Sequence, residues 1–424
     1  MWNASEPVEG GLAKQNDPNC RSQERALMQR KLVLVMGLSA CVSLEGAGFQ
    51  KQCLTDRYYC DGIAAGDLDR DGHLDVVAGP FCYYGPDFSS SVAFYPVIPL
   101  DPALSPSNSM FSFIWDFNED GWLDVLVLGR VHRHQAFWYE NPGGRRDGWA
   151  KHFVFHRVRG ESPRLADING DGRPDLLTHN ERHWGWISPQ PNAPDMEWDF
   201  HSISESGRWP QFYHGMGLGD FNQDRRLDIL LNEGLYLQSS TRVGSSPWKK
   251  MPYVFSNDRG GAQMVCFDVD GDDDQDVVTS LNAHEWGLAW FENQGNTFER
   301  RMIMGNREEQ FQYGVAFSQP HALEVGDLNG DGLPDIVTGK RMWAHGPKGD
   351  VEPNADPVIY WFELTRSSNG EARFRPREID RRSGVGVQIA LVDLNGDQAL
   401  DVLSASKLGT FVFFNELASR KLPH

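Results

Sequence analysis

No stretch of this 424-residue chain approaches the ~20 consecutive apolar residues a membrane-spanning helix requires, so no transmembrane segment is expected. An excess of positive charge is also missing. Lys and Arg number 40 against 59 Asp and Glu, a net charge of −19, which excludes a general nucleic-acid binder and a polybasic membrane-surface protein. Cysteine is sparse, with only Cys20, Cys41, Cys53, Cys60, Cys82 and Cys266. The chain does have 40% hydrophobic residues, enough to bury a core, together with 43 Gly, 14 Trp and 24 Phe. Turn formers and aromatics in that proportion favour β architecture over helices.

Residues 1–27 are polar and aperiodic and read as an extension or a mis-assigned start. Residues 28–48 carry Met-Gln-Arg-Lys, then an apolar stretch from Leu32 to Cys41, then small residues, the layout of an export signal. Leu38-Ser39-Ala40-Cys41 resembles a bacterial lipobox, whose cysteine is lipidated. A lipoprotein, a freely secreted or periplasmic protein and a buried strand all remain open. Export permits disulfides. Cys53, Cys60 and Cys82 cluster, with a Cys60–Cys82 bridge the first choice, and Cys266 reads as a small core residue.

One pattern recurs seven times. Its ligand-type positions are Asp67, Asp69, Asp71, Asp75; Asp116, Asn118, Asp120, Asp124; Asp167, Asn169, Asp171, Asp175; and Asp220, Asn222, Asp224, Asp228. They continue as Asp268, Asp270, Asp272, Asp276; Asp327, Asn329, Asp331, Asp335; and Asp393, Asn395, Asp397, Asp401. The first aspartates stand 49, 51, 53, 48, 59 and 66 residues apart. Oxygens at positions 1, 3, 5 and 9 of a tight loop can converge on a hard cation, and Ca²⁺ accepts six to eight of them. An EF-hand would need a Glu at position 12 and flanking helices. Here position 12 of the first loop is Ala78 and Asp75 leads into Val-Val-Ala, so these are calcium loops between strands, up to seven of them, stapling turns. Glycine at position 6 supplies the left-handed backbone. Arg225 and Gln398 replace it in the fourth and seventh loops, which puts those two sites in doubt, whereas Asp273 in the fifth is tolerable. Aspartates at the ligand positions number 23, so the rest of the chain carries about +4 and the acidity belongs to the loops.

The repeat resembles the FG-GAP/VCBS family, also found in integrin α chains, over residues 49–418, with 419–424 left as a tail. The resemblance implies an all-β, seven-bladed β-propeller with four strands per blade. The strand reading agrees: Phe298 to Ile303, Ala322 to Val325, Ile336 to Thr338 and Ile359 to Glu363 make one unit. An orphan strand, Phe49 to Thr55, should pair with the last one, Phe411 to Asn415, and close the ring of a protein expected to be a monomer.

In antiparallel blades the second-to-third loops lie on the face opposite the calcium loops. Six residues before each first aspartate stand Asp61, Met110, Glu161, His214, Ala262, His321 and Val387. After the second strands come His132 and His134; His179, Glu181 and His183; His284 and Glu285; and Lys340, Arg341 and His345. Histidine titrates near neutrality and binds metal, so this concentration marks a site. His214, His321, Lys340, Arg341 and His345 are its catalytic candidates. Asp61, Glu161, Tyr213, Trp184, Trp286 and Trp343 are candidates for substrate binding, the aromatics as sugar-stacking platforms. His179, His183 and His284 are candidate ligands of Zn²⁺ or another divalent ion. The His179-x-x-x-His183 spacing itself reads as coincidental in β surroundings, and Gly215-Met-Gly217-Leu-Gly219 leads into an acidic turn rather than a dinucleotide-binding helix. Trp290 and Trp361 alternate as core strand residues.

His321-Ala-Leu-Glu-Val-Gly-Asp, followed by Thr338-Gly-Lys340-Arg341-Met-Trp343-Ala-His345-Gly-Pro, is similar to the propeller domain of aldos-2-ulose dehydratase-type proteins. Those are sugar lyases with metal in the propeller; the cupin domains that follow it in the fungal enzymes are absent. The resemblance implies a metal-assisted lyase acting on a keto-sugar, with His321 or His214 as base. The alternative is a non-catalytic propeller that binds carbohydrate or a cell-surface protein, and a third reading is a calcium-stiffened scaffold.

Overall fold

The computed structural model describes residues 48–104, 106–129, 135–190, 193–238, 247–256, 260–367 and 371–417. Residues 1–47, with Cys20 of the expected extension and Cys41 of the expected signal segment, residues 418–424 with the expected tail, and His132 and His134 lie outside them. Each acidic loop ends at its ninth residue, an aspartate that opens a strand: Asp75–Ala78, Asp124–Leu128, Asp175–His179, Asp228–Leu231, Asp276–Ser280, Asp335–Lys340 and Asp401–Ser406. All seven strands are buried along their whole length. That burial explains why their sequences run Asp-Val-Val-Ala or Asp-Ile-Leu-Leu without polar alternation, since both faces are covered by neighbouring sheets.

The strands form a β-propeller arrangement of antiparallel four-stranded sheets, such as Ile63–Gly66, Asp75–Ala78, Phe81–Tyr84 and Ser90–Ala93 in that order. Five sheets of this size stand alone, and a sixth has eight strands. The expectation of seven separate blades is corrected here. Met216–Gly219 pairs in parallel with Gln263–Phe267 through Met216↔Gln263 and Gly217↔Met264, which fuses two four-stranded runs. Glycine allows this contact, because a Cβ on Gly217 would collide with the Met264 carbonyl oxygen. At the ends of the chain, Phe49–Thr55 runs antiparallel to Gly409–Asn415, from Phe49↔Asn415 to Cys53↔Phe411, and covers what would be a free sheet edge.

Between neighbouring sheets lie apolar clusters, one built on Phe117, Trp138 and Trp198 and another on Trp184, Trp186 and Trp248. Trp290 and Trp361 are buried, and Cys266 packs half-buried beside Leu230 and Phe291. Cys60 and Cys82 are separate buried thiols rather than a bridge; burial pushes both well above the usual thiol range. The inner strand starts are joined by backbone bonds from one repeat to the next. Asp61 donates to Ser109, Glu161 to Tyr213, Gln319 to Glu285 and Val385 to Lys340, while Val387 donates back to Asp61.

Two glutamines floor the axis. Gln388 accepts from the Ile63 and Ser112 N–H groups and donates to the Ser112 carbonyl. Gln263 donates to the Val387 carbonyl at 2.8 Å and accepts from the Leu323 N–H at 3.0 Å, tying three repeats together. Arg164 and Glu324 pair at 2.9 Å on the acidic-loop side of this layer. Gln263→Ala would leave two buried backbone groups without partners, and we expect denaturant titration to register a loss of about 2–4 kcal/mol. A loss near zero would mean that the glutamine does not bind the repeats together.

Candidate metal centre and its cavity

Position six before the first aspartate is where each inner strand begins, and there the repeats come closest. Glu161, His214 and His321 occupy that position in three repeats, all at most 6% exposed. The Glu161 N–H is held by the Tyr213 carbonyl, and His321 sits where pairing with the second strand slips between Pro320 and Leu323. The fourth member comes from a loop. Asn282 turns the chain after Asp276–Ser280 by accepting from the His284 N–H on its side chain and the Glu285 N–H on its carbonyl, directing His284 inward.

One ligand-type atom from each of Glu161, His214, His284 and His321 lies within 4.8 Å of every other. His214 Nε2 is 2.8 Å from Glu161 Oε2, His321 Nε2 is 3.3 Å from the same oxygen, and the Nε2 atoms of His284 and His214 are 3.2 Å apart. Two donors each ~2.0–2.2 Å from one tetrahedral ion would be about 3.3–3.6 Å apart, so the donors, at or below that range, would need to spread by a few tenths of an ångström to hold a zinc-class ion between three imidazoles and a carboxylate. Glu161 Oε2 is buried and makes no well-directed hydrogen bond despite its two imidazole neighbours.

The protonation states suit ligation, which needs neutral imidazole and ionised carboxylate. Burial, then the neighbouring His321 and His214, drives His284 far below the usual imidazole range. Burial, then Arg341, pulls His321 down to about 4. Burial alone would raise Glu161, but the His214 and His321 imidazoles hold it well below the usual carboxylate range.

A cavity of about 630 Å³ opens over the group, lined by Glu161, His214, His284, Arg341, His345, Lys407 and Phe212, among others. Asp350 stands behind it. Its Oδ1 accepts from His345 Nδ1 at 2.7 Å and lies 3.7 Å from His284 Nδ1. At 3.7 Å it makes no hydrogen bond to His284, so the imidazole it orients is that of His345. Arg341 Nη1 contacts His321 Nε2 at 3.0 Å, and Tyr58 donates to Asp61 Oδ2 at 2.7 Å beside them.

The remaining sequence candidates fall elsewhere. Lys340 is buried, donates to Ser318 Oγ at 2.7 Å and lies outside the residues lining the cavity. Trp184 is fully buried against Tyr213 and His179, so it cannot be a sugar platform. Trp286 lies under the Arg307 guanidinium, while Trp343 donates to Asn354 and its carbonyl accepts from Lys407. His179 and His183 belong to none of the ligand clusters among the described residues, which leaves only His284 of the three expected metal ligands. Sequence reasoning missed Asp350 and Lys407. Lys407 follows its ninth-position aspartate by six residues, as Arg341 does, so the register could have found it. Asp350 sits in a loop with no repeat counterpart.

The acidic loops are built as calcium loops would be. In all seven, the sixth residue donates its N–H to the first aspartate. Arg225, Asp273 and Gln398 hold left-handed φ of 66°, 70° and 71°, so the turn survives the loss of glycine. Asp67, Asp69 and Asp71 form one three-carboxylate cluster, and Asp268, Asp270 and Asp276 another, where Asp270 Oδ1 is buried and unpartnered. The fourth loop fits less well, because Arg226 already pairs with Asp224 at 2.7 Å. Each ninth aspartate has a second task. Asp75, for one, accepts from Leu68 of the loop and from Gly85 after the third strand.

The family model described as FG-GAP-like repeat matches residues 116–178 and 268–338. No curated protein matches the chain significantly. Similar solved structures include an Agrocybe aegerita lectin described as recognising non-reducing terminal N-acetylglucosamine. It is 17% identical with a TM-score of 0.47, over 75% of this chain and 80% of that one. The Vibrio cholerae biofilm matrix protein Bap1 is 10% identical with a TM-score of 0.43, over 88% and 92%. The Photorhabdus luminescens Tc holotoxin pore is 15% identical with a TM-score of 0.36, over 72% of this chain but only 14% of that one. Among the described residues, no helix is long and apolar enough to cross a membrane.

His321 carries a pH signature. Its folded pKa lies below the ~6.5 of an unfolded imidazole, so the unfolded chain binds the proton more tightly and stability drains away as pH falls from 6.5 towards 4. In metal-free protein, the stability advantage of wild type over His321→Gln should shrink by about 1–2 kcal/mol between pH 7 and pH 5. A difference that stays constant across that range would contradict a neutral, buried His321.

Proposed function

We propose that this protein is an exported, calcium-stabilised propeller that works as a metal-dependent lyase or dehydratase on a carbonyl-containing sugar. The observation that carries this reading is the buried quartet of Glu161, His214, His284 and His321 at the floor of an open, polar cavity. A divalent ion held there would supply Lewis-acid polarisation of a substrate carbonyl. His214 and His321, expected as bases, serve instead as ligands in this reading, since both are buried among the donor atoms. The base becomes His345. It lines the cavity, and Asp350 holds its Nδ1, which leaves Nε2 to take the proton next to the carbonyl. The resemblance of the sixth repeat to sugar-lyase propellers points the same way. Binding without chemistry is less favoured, because Trp184 is buried and Phe212 is the one Phe, Tyr or Trp among the cavity-lining residues.

We further assign Ca²⁺ to the acidic loops, the fourth being the weakest site. We read the eight-stranded sheet as two repeat units touching at the axis, which would make seven repeats in all.

Purified without chelator, the protein should hold about one zinc-class ion per chain, absent from His284→Ala. Exchange of the α-proton of a keto-sugar into D₂O should slow by about 10²–10⁴-fold in His345→Ala. Wild-type exchange in His345→Ala, or no difference in metal content, would refute the assignment.

The loops give a separate expectation. Burial raises Asp124, Asp175, Asp276 and Asp335 to about 7 and Asp75, Asp228 and Asp401 to about 6. A folded carboxyl above its unfolded value binds the proton more tightly, so the calcium-free fold gains stability as pH falls from about 7 towards 4. Calcium competes with those protons and contributes about 2.7 kcal/mol per site at a hundredfold excess over Kd. EGTA should therefore lower Tm strongly at pH 7.5 and little at pH 5. A Tm indifferent to EGTA at pH 7.5 would exclude a structural calcium.

A further inference from the structure

The cavity has two cations in its wall that the acid–base chemistry above does not use. Arg341 is 4% exposed and Lys407 5% exposed, yet both line the open space. Burying a guanidinium and an ammonium is costly unless each finds an anion or a full set of acceptors. Lys407 donates to the carbonyls of Pro102 and Trp343 and lies 5.7 Å over the Tyr58 ring; neither contact neutralises its charge. Arg341 forms no salt bridge among the described residues. Its Nη1 meets His321 Nε2, and its buried Nε has no partner.

The charge balance of the mouth points to what is missing. Glu161, Asp61, Asp350 and Asp101 are the anions around Arg341 and Lys407. A divalent ion among the four donors would add two positive charges to this group, with the imidazoles neutral, and take up much of the negative charge that now faces the two cations. The same ion would take over His321 Nε2, the acceptor that now faces Arg341 Nη1. The guanidinium would then have an unpartnered Nε on one edge and a freed Nη1 on another. Charge-assisted hydrogen bonds from such donors suit the oxygens of a carboxylate or phosphate.

We propose that Arg341 and Lys407 form an anion subsite, so that the substrate of this cavity carries a carboxylate or phosphate in addition to its reacting carbonyl. This rests on the metal-dependent reading above and narrows it to sugar acids or sugar phosphates. Asp61 is a positioning residue. Buried, with Oδ2 held by the Tyr58 hydroxyl and Oδ1 unpartnered, it keeps both cations from repelling each other in the absence of ligand.

The test is calorimetric titration of the zinc-loaded protein with D-glucuronate, D-glucose 6-phosphate and D-glucose, with zinc content measured on the same samples. One charged sugar should bind at least about tenfold more tightly than glucose, and which one does so identifies the anion. Lys407→Met and Arg341→Gln should each erase about tenfold or more of that preference, at unchanged zinc content and unchanged weak affinity for glucose. Arg341→Lys should restore part of it. Charged and neutral sugars bound alike, or not at all, would overturn the subsite. So would a preference that survives both substitutions in variants that melt as wild type does. Missing zinc would instead count against the metal centre, because the anion preference is read separately.

Discussion

The fold depends on one repeated hydrogen-bond pattern. At the end of every acidic loop a buried aspartate accepts one backbone N–H from the loop's start; in six of the seven repeats it accepts another from the last residues of the third strand or the residue just after it, and in the remaining one from the neighbouring loop residue. Asp335, for instance, accepts from Leu328 and Leu364, and Asp175 from Ile168 and Asn169. A carboxylate has room for about four such bonds, so the same group can serve a cation as well. The result is a constant phase between the inner strand and the second strand in each repeat. Because that phase is constant, residues at a fixed distance before the loop all reach the axis, and in three repeats those residues are Glu161, His214 and His321.

The axis is therefore two half-sites separated by a floor. Gln263 and Gln388 close it with bonds to backbone groups of several repeats. On one side lie the acidic loops with the Arg164–Glu324 pair. On the other lies the imidazole group, dry enough at its base to keep His284 and His321 neutral and open enough above to admit a sugar-sized molecule. Burying three imidazoles around an ionised carboxylate with no cation between them is an expensive arrangement. A divalent ion offsets that cost, which gives the centre a physical reason to exist beyond its geometry.

Much of this was legible from residues alone because the repeat supplies its own ruler. Counting back six from each first aspartate singled out Glu161, His214 and His321, though for substrate binding and catalysis rather than as ligands, and the expected orphan strand Phe49–Thr55 covers Gly409–Asn415. What stayed hidden depends on contacts that no ruler measures. His284 was grouped with His179 and His183 because all three follow a second strand, but those two end in a different pocket of side chains, packed on Trp184 or held in the Asn180 turn. Trp184 looked like a platform because it follows a loop histidine; its strand turns it into the core. The fused sheet could not be foreseen, since it follows from how closely Gly217 lets two backbones approach. Asp350 belongs to an insertion with no counterpart in other repeats, so only its place beside His345 and His284 reveals it.

The account stands or falls on whether a metal ion sits among Glu161, His214, His284 and His321. Crystals of protein purified without chelator, measured on both sides of the zinc absorption edge, address this directly. The account predicts one anomalous peak equidistant from the four side chains, at ~2.0–2.2 Å from each donor atom. A map with no peak there, after zinc has been supplied at neutral pH, would contradict it.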